Sequence, residues 1–164
     1  MAVLDEEDRI QAIREAVEEF FDRDGTKHQP FDENDVARAG YSVDTKFGHA
    51  TVFFHAHSDQ LLFKFMLPIS ADETERDSVG EFLLRANYGL KVGGFDFDYR
   101  DGEISYRISL FCGREDFHPP TYDQINFSVI IGLMMVEKYG NALVKVMFGL
   151  LEPEEAIELA ESDN

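Results

Sequence analysis

From Asp5 to about Asp22 the apolar residues Ile10, Ile13, Val17, Phe20 and Phe21 recur at helical spacing among acidic ones, which predicts an amphipathic first helix over about 5–22. Acids crowd its first turn, where the helix dipole favours them. Gly25 and Pro30 then break the period, so 23–30 and the acidic stretch 32–40 read as linkers, the second with room for a short helical turn. From Tyr41 the period drops to two. A run rich in Phe, Val and Thr predicts a three-strand meander at about 41–47, 50–57 and 60–67, turning at Gly48-His49 and Ser58-Asp59 and ending at Pro68. In its third strand Leu61, Phe63, Phe65 and Leu67 share one face, and Leu62, Lys64 and Met66 the other.

Ser70-x-x-Glu73 matches a capping box, and Val79, Phe82, Leu83 and Ala86 predict a helix that stops near Gly89. Two strands follow, at 94–100 and 103–111, joined by an Asp101-Gly102 hairpin turn. Phe95, Phe97 and Tyr99 alternate with Asp96, Asp98 and Arg100, so this sheet has one apolar and one mostly wet face. Thr121 to about Leu150 reads as one long helix or two abutting ones jointed at Gly140, with Ile125, Val129, Leu133, Val136, Leu143 and Met147 on its sheet-facing stripe. Pro153 opens a short acidic tail helix over about 153–161. The order α-βββ-α-ββ-α predicts a single α+β domain over 1–164: an antiparallel five-stranded sheet, helices packed on one face, sheet and helices together filling 41–150.

A formal net charge of −18 repels phosphate backbones and anionic lipid surfaces, and the positive residues stand singly along the chain. Neither nucleic acid nor a membrane is expected as partner. The apolar run Ile125 to Val136 is shorter than the ~20 residues that cross a bilayer. One cysteine, Cys112, and a charged N-terminal stretch point to a reducing, cytoplasmic setting. The acidity itself reads as solubility, or as adaptation to high salt, in preference to a specific basic partner.

The element order, Phe95-Asp96-Phe97-Asp98, the Asp101-Gly102 turn, Tyr106-Arg107, Asn87 and the long apolar helix ending near Gly149 together resemble the YbjN family. The resemblance implies a bacterial sensory-transduction regulator with a fold like that of class I type III secretion chaperones. It further implies a domain that often pairs with a second copy, acts through protein contacts, and has no catalytic residues. The Gly93-Gly94 loop and the tail helix have no counterpart in that pattern.

Candidate chemistry is sparse. His55 and His57 point the same way on one strand, with His49 nearby, and are candidate metal ligands short of a third. Asp96 and Asp98 share a strand face and could hold a hard cation, or do acid–base work if burial raised a carboxylate pKa. Cys112, with Asp116 and His118 following, falls on the core side, where cysteine behaves as a small hydrophobe. No catalytic residue, metal or cofactor is assigned on these grounds. What remains is surplus apolar surface: Phe127, Ile131, Met134 and Met135 on the last helix, and Phe53, Leu62, Met66 and Phe111 on the wet sheet face. These are the expected contacts for a protein partner or a second copy, unless the first helix covers the last. The expectation is a non-catalytic protein-binding adaptor or chaperone-like regulator, homodimeric, in signalling or stress regulation. The alternative is a small-molecule sensor with a Phe-lined pocket.

Overall fold

Residues 3–162 are described by a computed structural model, and each change of hydrophobic period becomes an element. Helix α1 (Glu6–Asp24) opens where the Asp5 carboxylate accepts the Asp8 N–H at 2.8 Å and closes at Gly25, whose φ of 68° suits a residue without Cβ. Strands β1 (Val36–Ser42), β2 (His49–Ala56) and β3 (Gln60–Ser70) follow, then α2 (Arg76–Asn87) behind a 3-10 turn at Glu73–Glu75. Strands β4 (Gly94–Phe97) and β5 (Glu103–Phe111), then helices α3 (Tyr122–Met147) and α4 (Pro153–Ser162), complete the chain. All strand pairs are antiparallel, in the order β1-β2-β3-β5-β4. The fold is α+β with the predicted element order.

One face of the sheet is the core. Ala50, Val52, Phe54 and Ala56 of β2, Leu61, Phe63, Phe65 and Leu67 of β3, and Ile104, Tyr106 and Ile108 of β5 are buried there. Against them lie Ile13, Val17, Phe20 and Phe21 of α1, Val79, Phe82 and Leu83 of α2, and Ile125, Val129, Val136 and Leu143 of α3. The aromatic rings pack edge to face on one another, Phe54 on Phe63 at 5.5 Å, Phe95 on Tyr106 at 5.0 Å and on Tyr139 at 5.7 Å. These rings fill much of the space between sheet and helices.

Several local expectations are corrected. The first strand is Val36–Ser42, inside the supposed linker, and 43–48 is the turn, where the Val43 N–H donates to Gly48 O at 3.0 Å. Pairing with β2 imposes a strand on Ala, Gly and Arg, which have little preference for one. Pro68 does not end β3: the strand reaches Ser70 after a register shift in the β3–β5 ladder between Met66 and Ser70, a place that tolerates a missing N–H. Ser70 belongs to that strand, and α2 has Glu75 at its N-cap with no side-chain cap bond. Asp101-Gly102 is part of a five-residue turn, closed by Gly102 N–H to Asp98 O at 2.7 Å, so β4 stops at Phe97. Gly140 is no joint. Helix α3 is continuous, begun by a Thr121–Gln124 capping box, and Gly132 and Gly140 are points of close approach instead. A Cβ on Gly132 would lie 2.0 Å from Cζ of Phe65.

Helix α3 also outruns the apolar stretch seen in the sequence. With 26 residues it is, among the described residues, the one helix long and apolar enough to cross a membrane, and it lies across the sheet with Ile125, Val129, Val136 and Leu143 buried.

Candidate functional site

The packing leaves apolar surface exposed on the outward side of α3, as it does at Leu84 and Tyr88 around the end of α2 and at Phe148 and Leu150 after α3. Helix α1 lies against α3 and β2 but does not cover that side. Phe127 is 54% exposed, Ile130 46% and Met134 51%. Their spacing of three and four places them in one row along the helix. Ile131 and Met135, both expected in this row, are partly buried and pack on the core, whereas Ile130 was missed. The spacing that would have found Ile130 was present in the chain. Beyond Met134 the same side turns polar through Glu137, Lys138, Asn141 and Lys145. A groove of about 690 Å³ runs there between α3 and α4, with Met134, Met135, Leu159 and Ala160 in its lining and Lys138, Lys145, Glu137 and Asp44 at its rim.

The open sheet face combines residues far apart in sequence. Cross-strand register sets Arg38 of β1, Phe53 of β2, Lys64 of β3 and Arg107 of β5 in one row. The positive charges, which stand singly along the chain, are therefore aligned across four strands. Acids neutralise part of the row: Lys64 Nζ lies 2.8 Å from Glu103 Oε1, and Arg107 Nε 2.7 Å from Asp96 Oδ2. Leu62 and Met66 flank Lys64 along β3, so Phe53, Leu62 and Met66, all half-buried, surround an ion pair rather than fuse into an apolar patch. Phe111, 70% exposed, stands at the end of β5 opposite Gln60.

His55 and His57 do come together, their ring centroids 3.9 Å apart. Among the described residues no group of three or more His, Cys, Asp or Glu is placed to hold a metal ion. Burial, and then the neighbouring His57, lower the His55 pKa below the ordinary 6.5, so the fold prefers His55 neutral. A depressed folded value means stability that is complete above about pH 6.5 and lost as the pH falls toward the folded pKa. Urea midpoints measured at pH 7.5 and 5.5 are accordingly expected to differ less in His55→Gln than in the unsubstituted protein; an equal difference would show that His55 does not contribute.

Asp98 lies in the turn rather than on β4, and hydrogen bonds from Arg100 pull its pKa down to about 2. It stays ionised at any physiological pH, and Asp96 is engaged by Arg107. Cys112, Asp116 and His118 line one surface depression, as their nearness in sequence suggested. Yet Cys112 is only 7% exposed and burial pushes its thiol pKa up, which opposes a nucleophilic thiolate.

Comparison with known proteins meets this geometry at the level of the whole fold. The family model YbjN, described as "Putative bacterial sensory transduction regulator", matches residues 14–145. The chain belongs to the YbjN family. The match runs from α1 to the last turn of α3, so the exposed row and the open sheet face are both inside the YbjN region, and α4 lies beyond it. Among solved structures, the crystal structure of YbjN from E. coli, described as a "putative transcription regulator", superposes with a TM-score of 0.53. It shares 13% identity and covers 76% of this chain and 85% of its own, a likeness of fold alone. No curated protein matches the chain. The YbjN assignment carries a general regulatory role.

Proposed function

We propose that this YbjN-family protein is a regulator that acts by binding proteins, and that the α3 row of Phe127, Ile130 and Met134 is its contact surface, used first of all by a second copy of the chain. The observation that carries the reading is that three large apolar side chains stay about half exposed in line on a helix whose opposite side is buried. Covering the exposed half of each contributes about 1 kcal/mol. A two-fold contact doubles the number of such side chains, because each copy presents the same row. The acidic helices around it keep an apolar contact surface soluble. The site of action that fits one buried, unpaired cysteine is the cytoplasm.

The test is sedimentation velocity from micromolar to ~100 µM protein, a range that brackets weak homodimers, for the unsubstituted chain and for Ile130→Glu/Met134→Glu. Both positions are exposed, so the variant is expected to fold. Self-association that disappears in the variant supports the reading. A monomer throughout, whose co-purifying proteins are the same with and without the substitutions, would remove α3 as a contact surface.

A further inference from the structure

The two edges of the sheet are finished differently. At β4 the Asn87 side chain takes the place of a neighbouring strand: its Oδ1 accepts the Phe95 N–H at 2.7 Å and its Nδ2 donates to Phe95 O at 3.0 Å. At β1 the backbone groups of Arg38 turn away from β2, toward Gln29, so by strand alternation those of Gly40 and Ser42 do the same. Part of this edge is closed within the chain. Gln29 N–H donates to Arg38 O at 2.8 Å, Arg38 N–H returns to Gln29 O at 3.2 Å, and Asp32 N–H donates to Val36 O at 3.0 Å.

Beyond that bridge the edge is open. An antiparallel continuation would set Lys27 against Gly40, but the segment has turned away, and among the described residues Gly40 and Ser42 have no backbone partner on that side. Both are exposed, and nothing lies within 4 Å of where a Gly40 Cβ would be. The result is a depression of about 550 Å³ lined by Lys27, His28, Gln29, Arg38, Gly40 and Thr51 among others. Its two full cations, Lys27 and Arg38, have no carboxylate partner among the described residues, although the chain as a whole is at −18. Arg38 spends its Nε on the Gln29 side chain.

An unpaired edge is a template for another strand. A residue added opposite Gly40 would have its side chain on the face that carries Arg38 and Thr51, over the gap the glycine leaves. A carboxylate there meets two cations. A second copy would bring its own Lys27 and Arg38 to the same edge. We propose that the open edge of β1 at Gly40 and Ser42 accepts an extended acidic segment of a partner protein as a sixth strand, with backbone hydrogen bonds giving affinity and Lys27 and Arg38 selecting for acid.

The experiment is amide hydrogen exchange by NMR with two capped seven-residue probes, one alternating valine and glutamate, the other valine and lysine. The glutamate peptide is expected to slow exchange at Gly40 and Ser42 and to bind at least about tenfold more tightly than the lysine peptide. Gly40→Pro removes an N–H that faces away from β2, a substitution an edge strand tolerates, and is expected to abolish the protection at Ser42, the reporting amide that remains. Arg38→Gln gives a second check: it weakens the glutamate peptide and does not weaken the lysine peptide. No protection at about 1 mM glutamate peptide, or equal affinity for the two peptides, would overturn the proposal. So would protection that grows with protein concentration when no peptide is present, since the edge would then belong to a second copy.

Discussion

Gly132→Ala is expected to lower the thermal midpoint, although alanine is the better helix former. Propensity alone favours the substitution by about 1 kcal/mol. The new methyl group, however, would begin 2.0 Å from Cζ and 2.4 Å from both Cε atoms of Phe65, a ring with no solvent exposure. That ring cannot retreat into water, and on its sheet side it meets Tyr106 with centroids 6.1 Å apart. Helix and sheet must separate or the ring must leave its rotamer, at a cost of about 3 kcal/mol or somewhat more. The net loss is about 2 kcal/mol, which for a chain of this size is a fall of roughly 4–8 °C. Gly140→Ala is the control. Its Cβ would touch Thr45 and Phe47 at 2.9–3.1 Å, side chains of a partly exposed turn that can give way. Calorimetry that finds Gly132→Ala as stable as the parent would mean that α3 does not approach the sheet this closely.

The second large effect is expected at Asn87. Alanine there leaves a backbone N–H and a backbone C=O of Phe95 without partners in a partly buried place, at a cost of about 2 kcal/mol in unfolding free energy. Asn87→Asp separates the two bonds. It keeps an acceptor for the N–H but turns a second oxygen toward the Phe95 carbonyl, so it too is expected to destabilise. Denaturant midpoints measure the cost, and the Phe95 amide should exchange faster in Asn87→Ala. Unchanged exchange at Phe95 would show that the edge of β4 is closed by something else.

How much of this was legible in the chain depends on whether the signal was local. Helix α1, strands β2, β3 and β5, and the sheet-facing side of α3 follow from apolar spacing, because each buries one face against the same core. Strand β1 was hidden. Its buried positions hold only Ala37 and Ala39, and Gly40 and Arg38 face outward, so neither pattern nor propensity marks it, and only pairing with β2 makes it a strand. The row of Arg38, Lys64 and Arg107 was hidden for a different reason: it exists only once three registers are known. On α3 the surplus of apolar residues was visible, but which of two adjacent residues faces outward, Ile130 or Ile131, turns on 100° of helix rotation that the sheet decides. His55 and His57 were paired correctly by strand alternation, since two-residue spacing is itself a distance.

The acidity is not spread evenly over the fold. Helix α1 carries eight acidic and three basic residues and α4 four acidic and none basic, whereas the five strands together carry two acidic and three basic. The helical side of the domain is therefore more acidic than the strands, which are close to neutral, and the charge is asymmetric across the sheet. Screening shortens its reach to about 8 Å at physiological ionic strength, but at low salt it acts on the whole molecule. On an aminated sensor chip or an anion-exchange bead the protein would land helix side down, presenting the sheet and its β1 edge to whatever flows past.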